Sequence, residues 1–305
     1  MSKPIVAVIG ATGSQGGSVL EALVASGKYS VRAATRNTSS DRAKKIAAQP
    51  NVEVVQADIA KKEDLERLFN GADYVFGFTN FFDPAIYPKN IPEEERQGKQ
   101  MIDVAKASGV KYFVWSSLPD ATKISKGKHN RVFHFDGKAH VAEYALHSGL
   151  PCAIIEPGVF MENYLSWPPH KQDDTRVLSL PLTPPDTKRE YISIASDFGR
   201  AVVAMMDNPQ KWKGRTVRMS SDLLSQNDVA AILQKVTGKP YKYVEAPAEY
   251  ANEELGAMYK YFNDHGVYGR KPDEAVPFPE AKELGIKLTS FEEWVKKMSP
   301  SFSKP

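Results

Sequence analysis

Cysteine is nearly missing: the 305-residue chain carries one, Cys152, so neither an internal disulfide nor a multi-cysteine metal site is available. Such usage is compatible with a reducing compartment. Cys152 lies in LPCAIIEPG, a run that reads as a buried strand, where a thiol behaves as a small hydrophobe rather than a reactive group. Long apolar runs are missing too. No stretch approaches the about 18 apolar residues that span a bilayer, and the opening MSKPIVAVIG lacks the apolar segment and small-residue cleavage site of a secretion signal. The expectation is a cytoplasmic or nuclear protein without a membrane association. Charge of one sign is also scarce. A net charge of +3 is too small to mark a nucleic-acid or membrane-surface binder. The six histidines show no tight spacing with carboxylates, so no metal is expected.

What is present is an alternation of short β-rich runs and helical patterns over the first 157 residues. PIVAVIG, YSVRAATR, VEVVQAD, ADYVFGFTN, KYFVWSS and PCAIIEPG read as six strands. Between them lie helical runs such as GSVLEALVAS, with Val19, Leu20, Leu23 and Val24 on one face. The strands are apolar throughout rather than alternating, as when both faces of a parallel sheet are covered. The fold class expected is therefore α/β, a Rossmann-type doubly wound parallel sheet. After Pro157 the rhythm breaks. SWPPHKQ and LPLTPPDTKRE read as loops, TVRMSS and YKYVEAP as short strands, and SDFGRAVVAMMDN, SQNDVAAILQKVTG and SFEEWVKKMSP as helices. Residues 1–157 are thus read as a dinucleotide-binding domain, and 158–305 as a smaller, less regular substrate or partner region interleaved with it.

The first strand–helix junction reads IGATGSQGG, with Gly10, Gly13 and Gly16 spaced G-x-x-G-x-x-G. In such a unit the first glycine permits the tight turn, the second lets backbone approach a pyrophosphate, and the third lets helix and strand pack closely. The helix N-terminus then favours the anion. At the end of the second strand, where an acidic residue would accept bonds from the ribose 2′-hydroxyl of NAD, stands Arg36 in AATRNTSS. A guanidinium matches a 2′-phosphate, so NADP(H) is favoured over NAD(H). Asn37, Thr38 and Ser39 are placed to add phosphate hydrogen bonds. Asp58, in QADIA, is read either as a partner of the adenine amino group, with Ile59 against the ring, or as a helix N-cap.

GATGSQGGSV, TRN, the Asp of QAD, FTNFF, HFDGKAHVAEY and EPGVFMEN together resemble the NmrA-like family, atypical members of the short-chain dehydrogenase/reductase superfamily, over nearly the whole chain. The resemblance implies a Rossmann domain, an NADP(H) site of redox-sensor type, and a protein partner: a transcription factor or a metabolic enzyme. By position it implies that Gly10, Thr12, Gly13, Gln15 and Gly16 cradle the pyrophosphate and that Arg36 takes the 2′-phosphate. Asp58 and Ile59 would border adenine, and Thr79 and Asn80 would approach the nicotinamide-side ribose. Lys138 would contact that ribose, and Pro157, Gly158 and Phe160 would line the nicotinamide pocket.

A typical member of the superfamily places a proton-transferring Tyr four residues before the Lys, on one helix face. Here that position is His134, flanked by Phe133 and Phe135. Ser116 and Ser117 occupy the place of the carbonyl-polarising Ser. If the protein is an enzyme, Lys138, His134 and Ser116 are its candidate residues. His134 is read either as a replacement for the Tyr or as a helix-start histidine, and Tyr164 either as a group approaching from the substrate side or as packing. The segment KISKGKHNRVFHF is read as a docking or gating loop or as a solvated one, and NFFDPAIYPKNIPEEE as a lid or as a loop packed in place. The leading expectation is a regulator that senses dinucleotide redox state without catalysis and signals through its partner. The alternative is a Tyr-less NADPH-dependent reductase of quinones or similar small acceptors. A collapsed pocket favours the former and an open cavity the latter.

Overall fold

In the computed structural model, which describes residues 2–166, 169–270 and 274–302, the six strands and their crossover helices form as the patterning expects. They are β1 Ile5–Val8, α1 Ser14–Ser26, β2 Ser30–Thr35, α2 Asp41–Ala47, β3 Val52–Gln56, α3 Lys62–Phe69, β4 Tyr74–Gly77, α4 Pro92–Ala107, β5 Tyr112–Ser116, α6 Phe133–His147 and β6 Cys152–Pro157; a short helix that the patterning does not mark, α5 Ala121–Ile124, stands between β5 and α6. The sheet has seven strands, ordered β3-β2-β1-β4-β5-β6 with Thr216–Met219 beside β6. All its pairs are parallel. The fold is a Rossmann-like α/β sheet with a C-terminal region of small mixed sheets.

Covering both faces explains the unbroken apolar strands. Val6 and Val8 point into a core shared with Leu20, Leu23, Phe198 and Val202. Ala7 and Ile9 point the other way, into one shared with Leu68, Met101, Phe113 and Trp115. The chain after residue 158 returns to this sheet. The helix Gly199–Asp207 lies on α1, where Ser18 Oγ donates to the Ile194 carbonyl (2.6 Å) and accepts from the Gly199 N–H (2.9 Å). No Cβ fits at Gly199, since it would stand 2.0 Å from the Ser18 carbonyl oxygen.

The rest of the C-terminal half builds two three-stranded sheets. One joins Val159–Phe160, Arg189–Ile192 and Asp222–Leu224; the other joins His170–Gln172, Thr175–Leu178 and Tyr241–Tyr243. SWPPHKQ is therefore not all loop: His170–Gln172 pairs antiparallel with Thr175–Leu178, while Trp167 and Pro168 lie outside the described residues. Helices Gln226–Thr237, Glu253–His265 and Phe291–Phe302 pack on these sheets.

On β6, Glu156 stands in register with Arg218, whose guanidinium is already taken by Glu280 (2.6 Å) and Glu274 (2.8 Å). Burial, only partly offset by Arg218, pushes the Glu156 carboxyl from 4.5 up to about 7. The folded chain therefore holds a proton that the unfolded chain has released, so stability falls as pH rises through 4.5 to 7. Glu156→Gln is expected to remove up to about 3 kcal/mol of that loss, read by chemical denaturation at pH 5 and pH 8. An unchanged slope would mean that another group sets it.

Candidate functional site

The glycine turn closes on itself. Gly13 N–H donates to the Gly10 carbonyl (2.8 Å) and Ala11 N–H to the Ala34 carbonyl of β2 (3.1 Å). Gly10 has φ +60°, and a Cβ there would lie 2.7 Å from the Phe78 ring; at Gly16 it would lie 2.3 Å from the Gly10 carbonyl oxygen. Two of the three glycines are thus required by backbone geometry alone. Gly13 caps α1 without any side-chain bond, and no acidic residue stands in the first turn. The exposed N–H groups there suit the two charges of a pyrophosphate. Thr12 is half-buried at the rim. The Gln15 side-chain oxygen accepts the Ser116 hydroxyl (2.6 Å), so Ser116 faces this cradle; Ser117 spends its hydroxyl on the Leu118 carbonyl (3.1 Å).

At the end of β2, Arg36 is exposed and forms an ion pair with Asp83 (2.6 Å), on the loop after β4. The Ala85 N–H and the Arg36 guanidinium hold the Asp83 carboxyl below its usual range. Sequence reading missed a second cation here: Arg42 Nη2 reaches the Gly13 carbonyl (3.3 Å), so two arginines stand at this end of the cleft. Asn37 Oδ1 accepts from the Ser39 N–H (2.9 Å), which folds the intervening turn. Asp58 is not the helix N-cap, a place held by Lys61. Its Oδ1 accepts from the Ala60 N–H (3.0 Å) in the preceding turn, and Ile59 packs half-buried beside it.

At the other end, Thr79 is buried and Asn80 exposed. Lys138 projects from α6 into a buried ion pair with Glu94 of α4, whose Oε1 also accepts the Thr79 hydroxyl (2.8 Å). Glu94 is 1% exposed and its Oε2 has no hydrogen-bond partner among the described residues. It went unread in the sequence because an acid in a first helical turn looks like a surface complement to the helix dipole.

Four residues before Lys138, His134 is buried. Its Nδ1 lies 2.5 Å from Glu254 Oε1, and the same oxygen accepts its backbone N–H (2.9 Å). His134 is therefore not an exposed helix-start residue. Glu254, 2% exposed at the start of Glu253–His265, is the second acid hidden from sequence reading, for the same reason as Glu94. Phe81 and Phe82 bracket the imidazole at 5.6 and 5.5 Å between ring centres. Within the loop 80–95, Phe81 and Ile86 are packed in place, whereas Phe82 is 45% exposed.

His134 lines a cavity of about 380 Å³ that also meets Phe82, Phe135, Pro157, Gly158 and Phe160. At Gly158 a Cβ would lie 2.6 Å from the Glu190 carbonyl oxygen, so glycine lets the backbone pass close to the strand Arg189–Ile192 at the cavity wall. Tyr164 lines the far side, its hydroxyl bonded to those of Tyr191 (3.0 Å) and to Gln226 Oε1 (3.0 Å). Burial lifts the Tyr164 phenol well above its usual value, which suits a hydrogen-bonded wall rather than a proton relay.

The basic segment is pinned down rather than free. Lys128 and His129 both bond Asp264 (2.7 Å each), and Arg131 pairs with Glu253. Residues 135 positions apart in the chain thereby gather His129 and Asp264, with His265, whose ligand atoms lie within 4.8 Å of one another. Linear spacing gave no sign of that grouping. The Lys128 ammonium already occupies the shared carboxylate oxygen. Among the described residues no helix is long and apolar enough to cross a membrane.

The NmrA-like family profile matches residues 2–295. An NmrA-like family domain-containing oxidoreductase of Cladobotryum sp, FrzB, is 30% identical over 86% of this chain and 80% of its own. Among solved structures, NmrA, a negative transcriptional regulator in complex with NADP, superposes with a TM-score of 0.83 at 24% identity, over 98% of this chain and 96% of that one. The NADPH-dependent quinone oxidoreductase QOR2 of Escherichia coli, complexed with NADPH, superposes with a TM-score of 0.70 at 20% identity, over 96% and 99%. The fold, the glycine cradle and the profile agree: the chain belongs to the NmrA-like family.

Proposed function

We propose that this protein is an NADP(H)-dependent reductase acting on a small apolar acceptor. The observation that carries the reading is the cavity: about 380 Å³ of space borders the residues expected at the nicotinamide end. A buried His134–Glu254 pair stands in its wall, at the position where related reductases place a tyrosine. A regulator that only senses its nucleotide has no need of such a space. The oxidoreductase name of FrzB and the NADPH complex of QOR2 support the same direction. The cradle of Gly10, Gly13 and Gly16 fits the pyrophosphate, and Arg36 with Arg42 fits a 2′-phosphate.

NADPH, when bound, supplies the hydride. The chain's own groups do the remainder. Lys138, held by Glu94, positions the adjoining ribose. Phe82, Phe135 and Phe160 keep water from the acceptor. Glu254 accepts the Nδ1–H of His134 and holds the ring, so that the imidazolium passes its Nε2 proton to the acceptor oxygen and is left as the neutral Nδ1–H form. The test is NADPH consumption against a panel of apolar quinones and aldehydes. Turnover with at least one class is expected. If the cofactor binds and no acceptor consumes it, the reading fails.

A second reading keeps a regulatory role, in which the dinucleotide-bound chain is recognised by a protein partner in the cytoplasm or nucleus. The superposition on a negative transcriptional regulator favours it.

The 2′-phosphate assignment makes its own prediction. Losing a charge-assisted contact costs about 1.5–3 kcal/mol. Arg36→Ala is therefore expected to weaken NADPH about 10- to 100-fold while changing NADH little, measured by titration of intrinsic fluorescence. Asp83→Asn, which removes the competing carboxylate, is expected to strengthen NADPH alone. Equal effects on both nucleotides would refute the assignment.

A further inference from the structure

Arg189 opens the strand Arg189–Ile192 and is 2% exposed. No carboxylate among the described residues forms an ion pair with it. Its neighbour Glu190 is taken by the Val267 N–H (3.0 Å) and the Arg270 guanidinium (3.2 Å). Arg189 Nη2 donates to the Thr183 hydroxyl (2.8 Å), and Nε has no hydrogen-bond partner among the described residues. The rings of Tyr259 and Phe262 lie 5.1 and 5.2 Å from the guanidinium carbon. Such ring contacts offset only part of the cost of burying a lone charge. The nearby phenols of Tyr164 and Tyr191 do not supply the missing negative charge, because burial raises both above their usual values.

The same arginine lines the cavity described above, together with Tyr191 and Gln226 and with apolar residues that include Phe135 and Met258. The cavity thus sets one buried cation among a mostly apolar lining. We propose that its ligand is an organic acid, with its apolar or aromatic part in the body of the cavity and its carboxylate on Arg189. One cation with one hydroxyl beside it matches a single carboxylate rather than a phosphate, which draws several donors. The inference rests on reading the cavity as the acceptor site and adds the acceptor's class. An acid occupying it would neutralise Arg189 within the cavity that His134 also lines.

The experiment compares 2-naphthoate with the isosteric neutral 2-naphthamide, by calorimetric titration of the full-length protein in the presence of NADPH. The acid is expected to bind at least about tenfold more tightly, as one charge-assisted contact implies. In Arg189→Met, which keeps the volume of the side chain, the amide is expected to bind as before and the preference for the acid to vanish. Equal binding of acid and amide by the unaltered protein overturns the inference while leaving the cavity a ligand site. So does a preference that survives in Arg189→Met. If neither compound binds, the inference and the acceptor-site reading fall together. The comparison in the unaltered protein decides the matter even if the variant fails to fold.

Discussion

Replacing His134 with Gln is expected to lower the turnover number by about a hundredfold or more, the usual weight of a positioned proton donor, with NADPH affinity unchanged. Gln keeps the bond to Glu254 and roughly the same volume between Phe81 and Phe82, but has no proton to pass on. Glu254→Gln is expected to cost less, because the imidazole remains and loses only the orientation and tautomer that the carboxylate fixes. The two changes together should cost little more than His134→Gln alone, as for residues that act as one unit. A His134→Gln variant that turns over at the original rate would reduce the residue to packing, and the Glu254 pair to a structural ion pair.

The second large effect is on stability. Lys138→Met leaves Glu94 with one hydroxyl, from Thr79, for a carboxylate that is 1% exposed and already has one unpartnered oxygen. Removing one partner of a buried pair typically costs about 3–5 kcal/mol, which for a chain of this size means roughly 5–8 °C in melting temperature. Adding Glu94→Gln to Lys138→Met removes the stranded charge and is expected to restore most of the loss. If Lys138→Met melts with the original protein, the ion pair is not a buried one in solution. The double variant is also the right background for judging what Lys138 does to the cofactor, since the single variant mixes that role with instability.

The physical reasons why some features were legible are local. A glycine with φ +60°, or one whose Cβ would strike a carbonyl at 2.3 Å, leaves a mark at a single position, and doubly covered strands leave theirs in four to six consecutive residues. The cradle, the six leading strands and the position of Arg36 could be read for that reason. Glu94, Glu254 and Arg189 could not. Each looks like a solvated charge at the end of an element, and only contacts 44 or 120 positions away bury the two acids against Lys138 and His134. The strand Arg189–Ile192 was hidden in turn by the proline-rich run before it, which reads as loop. The cavity depends on all of these at once, so the leading expectation of a non-catalytic regulator was formed without the feature that weighs most against it.

The measurement that bears most directly on the account is a single turnover: protein and NADPH premixed at equal concentrations, then mixed rapidly with an apolar quinone or aldehyde while NADPH absorbance is followed. The account predicts an exponential loss of absorbance that requires the acceptor and is slowed by His134→Gln. Absorbance that persists with every acceptor, in protein shown to hold its NADPH, would contradict it and return the cavity to a regulatory role.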